Sequence, residues 1–178
     1  FDVRGTLRIE EHWSNGVLQG EYAAYDENGR VVERGFYENG EKSGPWSIFN
    51  ERGKILNRVE FQAGLHHGEF QMNDDLGRNL IIGRHAHGQA IGAWVHYNSD
   101  RTVHVVRKYE NGELVMERYE NGLQEQFFKD ERPELQMNWE NGKRHGAFKE
   151  WHDNGHWIVV DQIDPSTGET ESRLEIQG

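Results

Sequence analysis

The sequence predicts an all-β protein, an elongated antiparallel meander of β-hairpin repeats about 24 residues long, with almost no helix. Three observations carry that prediction. Gly16, Gly40, Gly64, Gly88 and Gly112 stand 24 residues apart, and the series Gly20, Gly44, Gly68, Gly92 and Gly5, Gly29, Gly53, Gly77 keep the same period. Aromatic residues keep step: Trp13, Tyr37, Phe61 and Tyr109 precede the first turn, with His85 as the exception, and Tyr22, Trp46, Phe70 and Trp94 follow the second glycine. The runs between glycines have strand length and are bounded by Asn-Gly or similar pairs, a strong short-range hairpin signal. A fixed period of this size marks a repeat array, whose units bury their apolar faces only by stacking on neighbours. No stretch shows apolar residues at helical spacing with an N-cap and a glycine stop.

One full copy lies between Phe36 and Gly68, with Tyr37-Glu38-Asn39-Gly40, Gly44-Pro45-Trp46 and Phe49-Asn50-Glu51-Arg52-Gly53. Turn spacings alternate 11 and 13, giving two strands per unit. Alternation within them supports a half-buried face: Val31 and Tyr37, then Ile55, Val59 and Phe61, then Val103, Val105 and Tyr109 share one parity. Arg34, Arg58, Glu60, Arg84 and Lys108 occupy the other, wet parity. The interior glycine of each unit is expected to lie under a neighbouring aromatic ring.

Phe1 to Trp13 reads as a half unit, so the stretch is expected to start inside a repeat, with an unseen N-terminal part left open. Four units follow from Gly16 to Tyr109 with falling fidelity. Asn73 and Asp74-Asp75-Leu76-Gly77 replace the aromatic turn in the third. In the fourth, Arg101 stands where glycine is expected, and Ser99-Asp100 is expected to carry the tight bend instead. The period breaks after Gly112, the next Asn-Gly pairs ending at Gly122 and Gly142. Leu114 to Tyr119 reads as one strand out of phase and Asp130-Glu131-Arg132-Pro133 as a longer charged hairpin tip. The pattern returns from Gly142 to Gly155, and a hairpin around Asp164-Pro165-Ser166-Thr167-Gly168 closes the chain. The expected organisation is one repeat domain, 1–178, with regular repeats over 1–112, an irregular block over 113–141 and a closing repeat and hairpin over 142–178.

Hydrophobic residues make up 34% of the chain, low for a central core but sufficient for a sheet stabilised by cross-strand aromatic pairs. The formal charge is −11, from 31 acidic against 20 basic residues. Nucleic acid and anionic membrane surfaces are poor partners for it, and a basic protein is a good one. There is no cysteine, hence no disulfide framework and no thiol chemistry. No apolar run approaches membrane-spanning length. A cytoplasmic location is expected, with a periplasmic or membrane-anchored one left open by the N-terminal side.

The unit Tyr37-Glu38-Asn39-Gly40, Gly44-Pro45-Trp46 and Phe49 to Gly53 resembles the MORN-repeat variant, whose copies run close to aromatic-x-Asn-Gly-Lys-x-x-Gly-x-Trp-x-x-Tyr. The resemblance spans Phe1 to Tyr109 and Gly142 to Gly155. It implies an extended antiparallel sheet of hairpins. Bacterial proteins of this variant are often described as antitoxin-like or as immunity proteins of polymorphic toxin systems, and eukaryotic ones as membrane-linked scaffolds. The departures at Asn73, His85, Arg101 and between Gly112 and Gly142 leave the later register open. No catalytic residues come with the resemblance.

The candidate contact residues are of two kinds. Tyr25, Phe49, Tyr97 and Trp151 lie three residues beyond the core aromatics, an odd step that points them to the opposite face unless a bulge intervenes. Glu38, Glu110, Glu120 and Glu140 each directly precede an Asn-Gly and form one acidic margin, with Asp26-Glu27, Glu51, Asp74-Asp75, Asp100 and Asp153 on the opposite edge. Asp130 and Glu131 mark the irregular block. Such margins also serve solubility and discourage edge pairing. His66-His67, His85 and His87 invite a metal reading, yet His87 occupies the Asn place of a turn and no further ligand stands at suitable spacing, so no metal and no cofactor are expected.

Together these point to a non-enzymatic binding protein, an immunity protein or antitoxin in kind, that covers a basic toxin or effector domain. The alternative is a structural repeat scaffold, with membrane association through a part of the chain not seen here left open; a homodimer through edge strands is left open separately. Carbohydrate recognition on stacked aromatics is a third reading.

Overall fold

The computed structural model describes Gly5, residues 7–152, Asn154, and the course of two further strands, 157–163 and 170–175. The half unit before Gly5, Asp153, Gly155 and the turn at Asp164-Gly168 lie outside the described residues. The described fold is all-β, without helix. Strands β1 (Ile9–Ser14), β2 (Val17–Tyr25), β3 (Val31–Glu38), β4 (Glu41–Phe49), β5 (Ile55–Gln62), β6 (Leu65–Asn73), β7 (Asn79–Ala86), β8 (Gln89–Tyr97), β9 (Val103–Glu110) and β10 (Glu113–Tyr119) form one sheet in chain order. Strands β11 (Gly122–Phe127), β12 (Pro133–Glu140), β13 (Lys143–Trp151), β14 (Trp157–Ile163) and β15 (Thr170–Glu175) form a second. Every recorded pairing is antiparallel between consecutive strands.

Contacts group the residues into two compact units: the chain through Arg101 with Arg107–Met116, and Thr102–Val106 with the chain from Glu117 onward. The sequence reading placed its boundaries at 112/113 and 141/142. In the structure the sheets part between β10 and β11.

In the first unit each two-residue turn holds both positions at positive φ, as Asn39 (53°) and Gly40 (83°) do. This is the type I′ geometry that matches strand twist. Each tip also fastens to the one before it: Gly40 N–H donates to Leu18 O at 2.9 Å, Gly64 to Lys42 at 3.0 Å, Gly88 to His66 at 2.8 Å and Gly112 to Ala90 at 3.0 Å. The period is thus a hydrogen-bond ladder as well as a pattern of side chains.

The five-residue turns at the other margin repeat equally. Asp26 Oδ1 accepts from the N–H groups of Asn28 and Arg30, both at 2.8 Å, and Asn50 Oδ1 from Arg52 at 3.0 Å and Lys54 at 2.9 Å. Asp74 Oδ1 accepts from Leu76 and Arg78, both at 2.9 Å. These are side-chain mimics of a backbone turn. Each is followed by a bulge, since Ala24 faces Glu33 whereas Tyr25 faces Val31, leaving Val32 extra, and Leu56 is extra in the same way.

The core of this unit is a ring ladder. Trp46, 4% exposed, stacks on Tyr22 at 5.2 Å and meets the edge of Tyr37 at 5.2 Å. Its Nε1 donates to Phe36 O at 3.2 Å. Gly35 lies directly beneath, where an added Cβ would fall 2.2 Å from the indole. Gly83 lies under Trp94 in the same manner. Each ring pair contributes about 0.5–1.5 kcal/mol beyond its buried area.

Three expectations are corrected. Arg101 itself takes the left-handed conformation (φ 76°) and donates its N–H to Asn98 O at 2.9 Å, as Gly53 does to Asn50 O, so Ser99-Asp100 replaces nothing. The tip at Asp130-Glu131-Arg132 is not longer. It spans 128–132 with the backbone bonds of the turn at 26–30, Phe128 N–H donating to Arg132 O and Glu131 N–H to Phe128 O, and Glu131 (φ 66°) stands at the glycine place. Asn121-Gly122 is not a hairpin turn: it opens β11, and Asn121 is absent from the positive-φ residues while Gly122 has φ 93°.

Asn121 instead does what Gln19 does. Gln19 Oε1 accepts from Asn39 N–H at 2.9 Å, and Asn121 Oδ1 from Asn141 N–H at 3.0 Å, while Gly142 N–H donates to Glu120 O as Gly40 N–H does to Leu18 O. Gly122 is therefore the counterpart of Gly20. Gly142 follows Gly40 by 102 residues, four periods of 24 and six more. The six extra residues fall between Gly112 and Gly122, where other units have Gly16 to Gly20 or Gly40 to Gly44. Met116 stands at that array position. Gly20, Gly44, Gly68 and Gly92 hold φ between 64° and 113° there, and Met116 does not. A side chain disfavours that conformation, and β10 continues as a strand through Met116 without it.

Candidate functional site

The four aromatic candidates are all half-buried. In β2 and β4 the bulge adds its extra residue to the following strand, so Tyr25 and Phe49 keep their odd parity and face away from Trp46. Tyr25 Oη donates to Glu10 Oε2 at 2.9 Å, which raises its phenol above the ordinary range. Tyr97 ends β8, and Trp151 ends β13 in the second unit. The same series contains Asn73, which is 6% exposed and donates Nδ2 to Ile55 O at 2.9 Å. The four candidates therefore make no continuous row, and Phe49 walls a cleft.

Phe49 stands between two clefts of the first unit. The larger, about 660 Å³, has an apolar floor of Val32, Phe49 and Leu56 and carries Asp26, Glu27, Glu51 and Asp75 around it, with Arg52 at the side. The bulges make this floor, since they bring Val32 and Leu56 to the margin where the five-residue turns meet. Asn50 Nδ2 donates to Asp75 O at 2.8 Å and Arg30 Nη1 to Glu51 O at 3.0 Å, which tie consecutive turns together. Asp26 is held below the ordinary carboxylate range, chiefly by the backbone N–H of Arg30. Glu27, Glu51 and Asp75 are exposed and carry no ion pair among the described residues.

The other predicted margin differs. Glu38, Glu110 and Glu140 are exposed beside type I′ turns, but two have a local partner: Ser43 Oγ donates to Glu38 at 3.2 Å and Lys108 Nζ to Glu110 at 2.8 Å, while His145 Nδ1 lies 3.3 Å from Glu140 without a hydrogen bond to it. The Lys108 hydrogen bond lowers the Glu110 carboxyl. Glu120 is not at a turn tip. It lies where the chain leaves β10, half-buried and 2.5 Å from Arg118. Asp130 is paired with Arg132 at 2.7 Å, and that hydrogen bond lowers its carboxyl. Glu131 shapes the turn. Local pairing of this kind reduces the field a charge presents to a distant partner.

The histidines form two edge-to-face pairs, His66 with His85 at 4.9 Å and His67 with His87 at 5.2 Å. Among the described residues no group of three His, Cys, Asp or Glu gathers at metal-binding distance.

Of the residues that line these two clefts, Phe49 and the acids Asp26, Glu27, Glu51 and Asp75 stand among those the sequence singles out, whereas Val32, Leu56, Arg30, Arg34 and Arg52 are not among its contact candidates. A signal existed for the first two: Val31-Val32 and Ile55-Leu56 are adjacent apolar pairs straight after a turn, which simple alternation does not explain. No family model matches the chain, and none of the curated proteins compared with it is a significant match.

Proposed function

We infer that this protein is a non-enzymatic protein-binding module of the MORN-repeat kind, and that the cleft at Phe49 receives a lysine or arginine of a basic partner. The carrying observation is the cleft itself: four carboxylates around an apolar floor suit a side chain with an apolar stem and a cationic head. The chain's charge of −11 favours fast, salt-sensitive encounter with such a partner. An immunity protein or antitoxin that covers a basic toxin domain is the biological form this reading takes. The test is a pull-down from native cells with the parent protein and a Glu27→Gln, Glu51→Gln, Asp75→Asn triple variant, followed by titration of the purified complex at several salt concentrations. A basic partner bound one to one by the parent, weakened by salt and by the triple variant, supports the reading. A partner indifferent to both removes it.

One observation favours the scaffold alternative. Leu114, Val115 and Met116 on β10 are 49%, 50% and 42% exposed, a contiguous apolar stretch suited to self-association. Recovery of the protein only with itself in the same pull-down supports that reading.

A further inference from the structure

The cleft on the other side of Phe49 has the opposite character. It encloses about 400 Å³, and its lining includes Arg30, Arg34 and Arg52 with Val31, Phe49 and a single acid, Glu51. In a chain with 31 acidic and 20 basic residues, three guanidinium groups to one carboxylate reverse the overall balance. Arg34 and Arg52 are exposed and have no ion pair among the described residues. The cross-strand neighbours of Arg34 are Ala23 and Ser47, neither of them acidic. Arg30 commits Nη1 to Glu51 O at 3.0 Å, which fixes its head across two consecutive turns and leaves its other donors available.

We propose that this cleft binds a carboxylate monoanion that carries an apolar group. Guanidinium groups present planar forks of N–H donors that match a carboxylate two bonds at a time. Val31 and Phe49 give the attached group an apolar wall. Glu51 on the rim and the charge of −11 penalise a dianion more than a monoanion, which favours carboxylate over phosphate. The two clefts share Phe49, Asn50, Glu51 and Arg52, whereas Arg30, Val31 and Arg34 line this one and not the acidic one; the proposal does not rest on the protein partner assigned to the acidic cleft.

The test is an amide-resolved NMR titration of the whole protein with 3-phenylpropionate, acetate, inorganic phosphate and the neutral 3-phenylpropan-1-ol. A peptide ending in a free phenylalanine carboxylate, beside its amide, separates a chain terminus from a small acid as the source. The expected result is saturable shifts confined to residues 30–34 and 49–53 with phenylpropionate and the free peptide, weaker ones with acetate, and none with the alcohol or the amide. Arg34→Gln and Arg52→Gln should each weaken phenylpropionate about tenfold, the loss of a charge-assisted hydrogen bond. Arg58→Gln removes an exposed arginine outside this cleft and should change nothing. Arg52 lies in an exposed turn, so its variant keeps the fold, and unchanged shifts elsewhere verify that. No saturable shift at those residues, tighter binding of phosphate, or equal affinity in Arg34→Gln and Arg52→Gln overturns the proposal.

Discussion

The first unit and the chain from Gly122 onward are built from the same parts, yet between them the array stops and restarts. In the first, Gly20, Gly44, Gly68 and Gly92 bend the strand after every type I′ turn, and each Gly-bearing tip bonds to the tip before it. From Gly122 the same sequence of bend, five-residue turn, strand and Asn-Gly tip recurs, displaced by six residues. The difference lies in β10, where Met116 occupies a bend position. A repeat array of this kind is therefore paced less by its aromatic residues than by one backbone conformation per unit that only glycine adopts cheaply.

The harshest way to break the comparison is inside the regular unit. Gly35→Val would place Cβ 2.2 Å from Trp46, a ring held on both sides by Tyr22 and Tyr37 and unable to yield. The expected loss is about 3 kcal/mol, the range of severe overpacking, read by urea unfolding. Gly44→Ala meets nothing within 4 Å but sits at φ 66°, so conformational strain alone should cost about 1 kcal/mol. If the two variants lose equal stability, the ring-over-glycine contact is not what holds the unit.

The comparison can also be sharpened by repairing the break. Deleting Val115 to Glu120 leaves Gly112-Glu113-Leu114-Asn121-Gly122, the spacing of Gly16-Val17-Leu18-Gln19-Gly20. Leu114 O would then take the tip bond that Leu18 O takes from Gly40, and Asn121 already plays the part of Gln19. The parent should unfold in two calorimetric steps, one for each unit, and the deletion variant in one, as nearest-neighbour coupling in an unbroken array requires. Two steps in the variant would show that the six residues are not the cause of the division.

Much of this was readable in the sequence, and the failures have physical reasons. Strands, turn series and the glycine under each ring follow from spacing, because the 24-residue period fixes all three. Arg101 was misread because a left-handed backbone leaves no mark on an arginine side chain. Its role shows in its φ of 76° and in the hydrogen bond its N–H donates to Asn98 O. Asn121-Gly122 was misread because the dipeptide is the same whether it forms a turn or opens a bend. The interval from Gly122 to Gly142 equals that from Gly20 to Gly40, and that interval was the better guide. At the site, Phe49 and its acids were legible, but the two clefts were not. Val31 lines one and Val32 the other, a separation created by a bulge that alternation alone cannot place.

The irregular turns offer a milder test. Arg101 and Glu131 hold φ 76° and 66° where the regular units have glycine. Arg101→Gly and Glu131→Gly should each stabilise the protein by up to about 1 kcal/mol, the relief of a left-handed side-chain conformation less the added freedom of the unfolded chain. The mirror change, Gly53→Ala, should destabilise by a similar amount. Thermal denaturation of the three variants decides this, and a loss in Arg101→Gly would mean that its side chain, and not its backbone, sets that turn.

The smallest effect concerns the histidine in the ring series before the type I′ turns. His85 meets Trp94 at 5.0 Å, Phe70 at 5.7 Å and His66 at 4.9 Å. Burial first, and then the charge of His66, lower its pKa. A histidine whose folded pKa is depressed takes up its proton in the unfolded state first, so its neutral form supports the fold fully above the unfolded value near 6.5. That support is lost progressively as pH falls through the unfolded value and toward the folded one. His85→Tyr supplies the residue found at Tyr37 and Tyr109 and removes this proton linkage. The urea midpoint of the parent should therefore fall between pH 7.5 and pH 5.5, and the midpoint of His85→Tyr should fall less over the same interval. Parallel slopes in the two proteins would mean that His66, His67 and the carboxylates carry the pH dependence, and that position 85 tolerates a histidine without electrostatic cost.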